Sequence, residues 1–409
     1  MKLLKAIGFT LAIIIALSGC STQLINVFED IGVSDFSNES QLSPKIDKPS
    51  SHFVNYIEQP PIVFSEPEEA VIRGIYVTSN RAGIPYYMEQ LLELSRNTDI
   101  NAMVIDVRTE DGFVTFKGIE SADNLGISVN NIPDIRGLIT TLRENDIYPI
   151  ARVVAFKDNN THTIRPDLYI HERDGSMWLD ANGIPWLNPY NPEVWDFVLE
   201  FAIGAAEVGF EEIQFDYIRF AASPSLDYAY FGDTRGLSRT EVITEFTRKA
   251  VDTLRPYGVK ISADVYGTII NSDNDAAIVG QDYVELARIL DVISPMVYPS
   301  HYADGSMGLD IPDLAPYDTI YKAMLLSNER LSVIPEGEHV AVVRPWLQDF
   351  TATWLDEFLR YSGPERAAQI QGAYDAGLSE WLLWDPSNNY APEGTYGLDN
   401  MQIMRITND

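Results

Sequence analysis

The chain has 409 residues, 45% of them hydrophobic, enough to bury one large core with appendages. Its formal net charge of −31 excludes charge-driven binding to nucleic acid or to an anionic membrane surface, and fits solubility in an extracellular setting. A single cysteine excludes an intrachain disulfide framework and a cysteine-rich metal site.

Lys2 and Lys5 precede a short apolar run, Ala6 to Leu17, too short for a persuasive membrane span. Leu17-Ser18-Gly19-Cys20 follows and resembles the lipobox of bacterial lipoproteins, in which the Cys is lipidated and becomes the new N-terminus. Cys20 has no disulfide partner and no metal co-ligand, so anchoring suits it; the alternative is an ordinary secretory signal that contains a Cys. Residues 1–19 are therefore expected to be a lipoprotein signal peptide, whose removal takes the charge to −31 − 2 = −33. Residues 20–70 are expected to be a flexible tether, rich in Ser, Asn, Asp and Glu and broken by Pro44, Pro49, Pro60, Pro61 and Pro67. Within it, 53–57 is the stretch able to form a small strand or pack on the domain. The expected location is extracytoplasmic, with the chain anchored in the membrane of a bacterial cell envelope.

From 71 to 409 short apolar strands alternate with amphipathic helices. The strands are expected at Ile72–Thr78, Ala102–Val107, Tyr148–Phe156, Glu212–Phe215, Val259–Tyr266, Val292–Tyr298, His339–Val343 and Glu380–Trp384. Most are near-continuous runs of Val, Ile and Leu, as strands buried on both faces require. Asn191-Pro192 opens a helix that Gly209 closes, Ser238 to Glu241 is a capping box, and Pro364 opens a helix ending near Gly377. Eight such units fit an α/β fold, a (β/α)8 TIM barrel with long βα loops. A doubly wound open sheet is the alternative, weakened because no Gly-x-Gly-x-x-Gly or P-loop pattern follows the first strand.

Each strand ends in chemistry. The first gives Tyr76, Thr78 and Asn80; the second Asp106 and Arg108; the third Lys157 and Asp158. The fourth runs from a buried Ile213–Phe215 straight into Asp216, Tyr217 and Arg219. The fifth gives Asp264 and Tyr266, the sixth Tyr298, His301 and Tyr302, the seventh Arg344 and Trp346, and the eighth Trp384, Asp385, Asn388, Asn389 and Tyr390. In a parallel barrel these ends form the active face. A cleft floored by carboxylates and walled by aromatics suits a carbohydrate.

Glycoside hydrolysis needs two carboxyl groups flanking the bond. Asp216 and Asp264 end consecutive strands about 4.8 Å apart, so their carboxyls could stand about 5–6 Å apart, within the retaining geometry. The alternative is that one of them only pairs with Arg219 or Arg108. Asp106 is expected to be a salt-bridge partner or a ligand of a substrate hydroxyl, and Asp385 is a third carboxyl candidate. The five histidines have no metal-ligand spacing, and His301 is placed to line the cleft. No Gly-x-Ser-x-Gly elbow or His/Asp cluster points to an esterase or a metal-dependent deacetylase. An Asp-rich loop at 271–275 offers oxygen ligands without diagnostic calcium spacing, so no cofactor and no metal are expected.

From about 71 to 400 the sequence resembles a family of bacterial glycoside hydrolases with a barrel distantly related to the α-amylase type. The resemblance is carried in order by Arg73–Thr78, Ile105–Arg108, Glu212–Phe220, Gly280-Gln281, Ser294–Tyr302 and Arg344–Phe350. It implies that Asp216 is the nucleophile and that the strand-5 carboxylate, here Asp264 where amylases carry Glu, is the acid/base. From their places at the strand ends, Tyr76, Asp106, Arg108, Tyr217, Arg219, Tyr298, His301, Arg344, Trp346, Trp384 and Asp385 are expected to bind a poly- or oligosaccharide. Chitinase-type barrels end the same strand Asp-x-Asp-x-Glu; here Gln214 and Ile218 occupy the flanking positions, so that machinery is absent. The sequence thus predicts a hydrolase of a cell-wall or extracellular polysaccharide. A non-catalytic carbohydrate-binding lipoprotein on the same scaffold is the rival, and a deacetylase or lyase barrel a third reading.

Overall fold

A computed structural model describes residues 71–390. The expected leader, Cys20, the tether and the 53–57 strand lie outside the described residues. The strands are β1 (Arg73–Val77), β2 (Ala102–Arg108), β3 (Tyr148–Val154), β4 (Glu212–Asp216) and β5 (Lys260–Tyr266), then β6 (Val292–Met296), β7 (Val342–Val343), β8 (Trp346–Gln348) and β9 (Trp381–Trp384). All pair in parallel, and the β5–β6 pairing closes the sheet into a barrel.

The larger helices alternate with the strands: α1 (Pro85–Arg96), α2 (Ile135–Glu144), α3 (Pro192–Val208), α4 (Arg239–Leu254), α5 (Asp273–Val279), α6 (Pro316–Leu331) and α7 (Gly363–Asp375). Their ends follow the sequence punctuation. The Asn191 side chain accepts from Glu193 N at the start of α3, and Gly209 ends that helix at φ 112°. Only a residue without Cβ takes that left-handed conformation at little cost. Ser238 and Glu241 close the capping box of α4 in both directions. The loop at 271–275 is the start of α5, where Ser272 caps the helix and Asp273 pairs with Arg330 at 2.6 Å.

Alternation along each strand makes two cores. One face carries residues such as Ile105, Val153, Ile213, Phe215 and Ile293 into the mantle beneath the helices. The other face fills the barrel axis with Tyr76, Val104, Ile150, Trp346 and Leu382. Gly74 lets β1 and β9 approach closely, because a Cβ there would lie 2.7 Å from a methyl of Leu382.

The seventh strand departs from expectation. The expected strand ends at Val343, and Pro345, which lacks an N–H, interrupts the ladder just beyond it. The chain instead resumes pairing, Trp346 with Met296 and Leu382 and Gln348 with Trp384. The strand therefore ends at Gln348, and Arg344 belongs to the base of the barrel rather than to its mouth. Its Nη1 donates to both oxygens of Glu212 at 2.9 and 3.0 Å, and its Nε to Glu380 at 2.8 Å. Glu212 opens β4 and also accepts from Ser262 Oγ at 2.5 Å. The expectation that Arg344 binds substrate is corrected by this placement.

Glu212 is fully buried, so removing it strands a buried guanidinium. Glu212→Ala is expected to lose about 3–5 kcal/mol of stability, measured by urea unfolding of the full-length chain. A loss below about 1 kcal/mol, the level of an average substitution, would contradict the role given to this ion pair.

Candidate active site

The centre of the site is Arg152, an inward residue of β3 that is 1% exposed. Its register places it beside Asp106 on β2 and Gln214 on β4. Its Nη1 donates to Asp106 at 2.7 Å, its Nη2 to Glu110 at 2.6 Å, and its Nε and Nη2 to Asp216 Oδ2 at 2.9 and 2.6 Å. One cation thus serves three carboxyl groups. Tyr76 donates to the other oxygen of Asp106 at 2.7 Å.

The surplus of negative charge acts on proton affinity. Burial pushes Asp106 above the ordinary carboxylate range, against the pull of Arg152. Burial acts in the same direction on Glu110, but Arg152 outweighs it and holds Glu110 at about 2. Asp264 lies beyond this network. The last paired residues of β4 and β5 are Phe215 and Ala263, so Asp216 and Asp264 are the next step of the same register. Asp264 Oδ1 accepts from the Trp346 indole at 2.7 Å. Burial first, and then the charge of Asp216, push Asp264 well above its ordinary value; the indole N–H works the other way. The two facing carboxyls therefore stand in unlike settings, one held by a guanidinium and one by a neutral donor.

The backbone is shaped to hold them. Tyr217 takes φ 49°, an unusual left-handed conformation for a bulky side chain, and its N–H donates to Asp216 Oδ1 at 2.6 Å. The turn sends the Tyr217 ring away from the axis while Asp216 stays inside. The buried Gln281 side chain bridges the two strand ends: its Nε2 donates to Ile218 O and Asp264 O, and its Oε1 accepts from Tyr266 N. Asn388 and Tyr390 tie down the end of β1 through Tyr76 O, at 3.0 and 2.7 Å.

Aromatic rings line the surroundings. Trp384 stacks on Tyr76 with centroids 4.0 Å apart and meets Trp346 edge-on at 5.5 Å. Tyr298 and His301 pack against Phe350, which stacks on Trp354, and Trp354 is 49% exposed. Burial lowers His301 to about 4, so it is neutral at pH 7. Tyr217 and Arg219 meet Trp186, Tyr266 and Lys157 in an adjoining cleft.

The structure therefore gathers Tyr76, Asp106, Asp216, Asp264, Tyr298, Trp346 and Trp384 around the barrel axis, with His301 beside Tyr298. Arg108 does not join them. A bulge between Asp106 and Arg108 turns it into the mantle, where it donates to Val154 O and Asp158 and lies over the rings of Phe197 and Phe201. Asp385 is held in a turn, its two oxygens accepting from Ser387 N and Asn389 N at 2.8 Å each. The expectation that Arg108 contacts substrate is corrected by its place in the mantle, while the Asp385 carboxylate is engaged in its own turn. The ion-pair alternative for the carboxylates also changes partner: Asp216 pairs with Arg152, and neither Arg219 nor Arg108 reaches it. Sequence reasoning missed Arg152, Glu110, Trp186, Phe350 and Trp354. The signal for Arg152 was a charge inside an apolar strand, which a buried anion elsewhere must answer. Among the described residues no group of three or more His, Cys, Asp or Glu is placed to hold a metal.

Residues 74–390 match the family described as "Putative glycosyl hydrolase domain". Among solved structures, a hypothetical protein from Ruminiclostridium thermocellum is 34% identical over 47% of this chain and 97% of its own, with a TM-score of 0.43. The PgaB (BpsB) glycoside hydrolase domain from Bordetella bronchiseptica is 11% identical over 77% of this chain and 94% of its own, with a TM-score of 0.56. An endo-1,4-β-D-mannanase from Thermotoga petrophila is 12% identical over 77% of this chain and 88% of its own, with a TM-score of 0.49. The Bordetella domain shares the fold with this chain. No curated protein matches the sequence.

Arg152→Leu removes the one cation that three carboxyls share. A loss of about 3–5 kcal/mol is expected at pH 7 by urea unfolding. The sign with pH follows from Glu110. Its lowered value in the folded state supplies stability above the unfolded value, near pH 4.3, and that stability is lost as pH falls toward 2. The variant lacks this contribution, so its deficit should shrink as pH falls below about 4. A deficit that stays constant between pH 7 and pH 3.5 would refute the charge-sharing account.

Proposed function

The chain belongs to the family of Putative glycosyl hydrolase domains, and on that premise we propose that it hydrolyses glycosidic bonds of a cell-wall or extracellular polysaccharide with Asp216 and Asp264. One observation carries the reading: adjacent strand ends present two carboxyls in unlike surroundings. Pairs of titratable groups pushed apart by their environment are how acid and base roles are divided at a single pH.

The geometry supports particular roles. A carboxylate has about four acceptor sites. Asp216 uses two on Oδ2 for Arg152 and one on Oδ1 for Tyr217 N, which leaves Oδ1 free to attack. Asp264 keeps its proton because burial raises it, and Oδ1 is occupied by the Trp346 indole, so Oδ2 carries that proton. In the first step Asp264 gives this proton to the glycosidic oxygen as the bond to the anomeric carbon breaks. Asp216 Oδ1 bonds to that carbon and forms a glycosyl ester. In the second step the Asp264 carboxylate takes a proton from water, the water oxygen bonds to the anomeric carbon, and Asp216 leaves as a carboxylate. Trp354, 49% exposed and stacked on Phe350 beside Tyr298, offers a face for a sugar ring. Facing positions on neighbouring strands favour the shorter carboxyl separation of retaining enzymes, about 5–5.5 Å.

The full-length protein, tested on a glycan library, should release product with retained anomeric configuration, followed by NMR. Asp216→Asn should lower the rate by about 10³-fold or more with little change in unfolding. Asp264→Asn should cost less on substrates with good leaving groups, which need little protonation. Near wild-type turnover by Asp216→Asn on a confirmed substrate would sink the assignment. Glycan binding with no hydrolysis by the wild type would favour the carbohydrate-binding reading.

We also propose that Cys20 carries a lipid and holds the domain at the cell envelope, on the support of the Leu17–Cys20 pattern. Cys20→Ala should move the protein out of the membrane fraction. Unchanged fractionation, with no lipid on residue 20 by mass spectrometry, would disprove it.

A further inference from the structure

Beside the carboxyl pair lies a cleft open to solvent. Its lining includes Lys157 from the end of β3, Trp186 from the loop before α3, Tyr217 and Arg219 from the end of β4, and Tyr266 from the end of β5. Two of these groups are cations. Arg219 is 6% exposed and lies over three rings, 5.1 Å from Trp186, 4.7 Å from Tyr217 and 4.5 Å from Tyr266. Its hydrogen bond goes to the backbone carbonyl of Phe220 at 3.0 Å. A guanidinium has five N–H donors, and those of Arg219 left without a partner are not sealed from solvent. Lys157 lies 4.7 Å from the Tyr217 centroid and reaches the Tyr217 hydroxyl at 3.5 Å.

Neither cation has a carboxylate at ion-pairing distance among the described residues. The anions nearby are already engaged. Asp180, in the cleft lining, accepts from Asn182 N, Ile184 N and the Trp186 indole, which shape its own loop. Glu110 accepts from Arg152. A buried cation without a partner is costly, and a chain with a formal charge of −31 has anions to spare. Cation–π contacts replace part of the lost hydration and leave the solvent-facing N–H donors open to a ligand.

We propose that this cleft is a subsite for a sugar residue bearing a carboxylate, so that the substrate is an acidic glycan. The carboxylate is received by Arg219 and Lys157, and the sugar ring lies against Tyr217 and Tyr266. The planar guanidinium fits a carboxylate with paired donors, and the ammonium adds a point charge. The inference rests on the glycosidase reading for its substrate role: Tyr217 follows Asp216 directly and Tyr266 stands two residues after Asp264, which places this subsite next to the bond to be cut.

The test measures binding apart from hydrolysis. Full-length protein is titrated with glucuronate, with its neutral isostere glucuronamide, with glucose and with inorganic sulfate, followed by NMR. Glucuronate should bind at least about tenfold tighter than glucuronamide or glucose, and the preference should fall as salt is raised. Arg219→Gln and Lys157→Met should each lower the preference by about tenfold, while Arg219→Lys keeps the charge and retains part of it. If Arg219→Gln does not fold, Lys157→Met reads the same property from another strand. Equal binding of glucuronate and glucuronamide overturns the proposal. Sulfate binding as tightly as glucuronate also overturns it, because the site would then be a simple anion hole. Hydrolysis of a neutral glycan with no acid preference would defeat the subsite alone. Acid preference without hydrolysis of any glycan would uphold the subsite and defeat the glycosidase reading.

Discussion

The mouth of this barrel depends on the sharing of Arg152 among Asp106, Glu110 and Asp216. Burying one isolated charge costs several kcal/mol, and a single guanidinium cannot repay three carboxylates in full. The balance is met by proton affinity. Glu110 is held low, whereas Asp106 keeps a raised value despite its bond to the same cation. Asp264 makes no hydrogen bond to Arg152, whose charge lowers it less than burial raises it, and it accepts instead from an indole N–H. The difference between the two facing aspartates is therefore set by where β3 places one side chain. Neither strand 4 nor strand 5 determines it alone.

Barrel interiors of this type are commonly layers of branched aliphatic side chains. Here the axis holds two charged levels. Glu212, Arg344 and Glu380 close the base, and the Arg152 cluster opens at the mouth. Both levels follow from period-two alternation. β4 reads Glu-Ile-Gln-Phe-Asp, with Ile213 and Phe215 packed in the mantle and Glu212, Gln214 and Asp216 on the other face. β3 repeats the pattern with Ile150 and Arg152. Gln214 spans the middle through a 3.3 Å hydrogen bond to Ser294 on β6. A polar axis of this kind specifies strand register strongly, because a slip of one residue would put every charge into the apolar mantle.

Much of this was legible in the residues. The strand ends carrying Asp106, Asp216 and Asp264 could be read because each follows a short apolar run, and the caps of α3 and α4 use local rules. What escaped was non-local. Arg152 sits inside a run that reads as plain strand, and its partners lie on β2, β4 and the loop after β2. Arg108 follows Asp106 by two and should share its face; the bulge that reverses it leaves no mark in the sequence. Pro345 was a true interruption but not an end, since only pairing with β6 and β9 carries the strand on to Gln348. Asp385 stands in Asp-Pro-Ser-Asn-Asn, a turn sequence whose local hydrogen bonds outweighed its position at a strand end.

The placement of the unpaired cations completes the electrostatic argument. A counter-carboxylate for Arg219 would add a further negative charge beside Asp216 and Asp264, where burial and mutual repulsion already raise Asp264. Aromatic faces hold the guanidinium without adding that charge. Burial, working against the attraction of Glu110, lowers Lys157, which likewise lies over the Tyr217 ring. Charge is thereby separated across the site, with carboxyls on the barrel axis and cations on the side of the long loop after β3. On the acidic-glycan proposal, the carboxylate of the substrate lies toward Arg219 and Lys157. A neutral glycan would feel no such torque. On the acidic-glycan proposal, this separation of charge would also select and align the substrate.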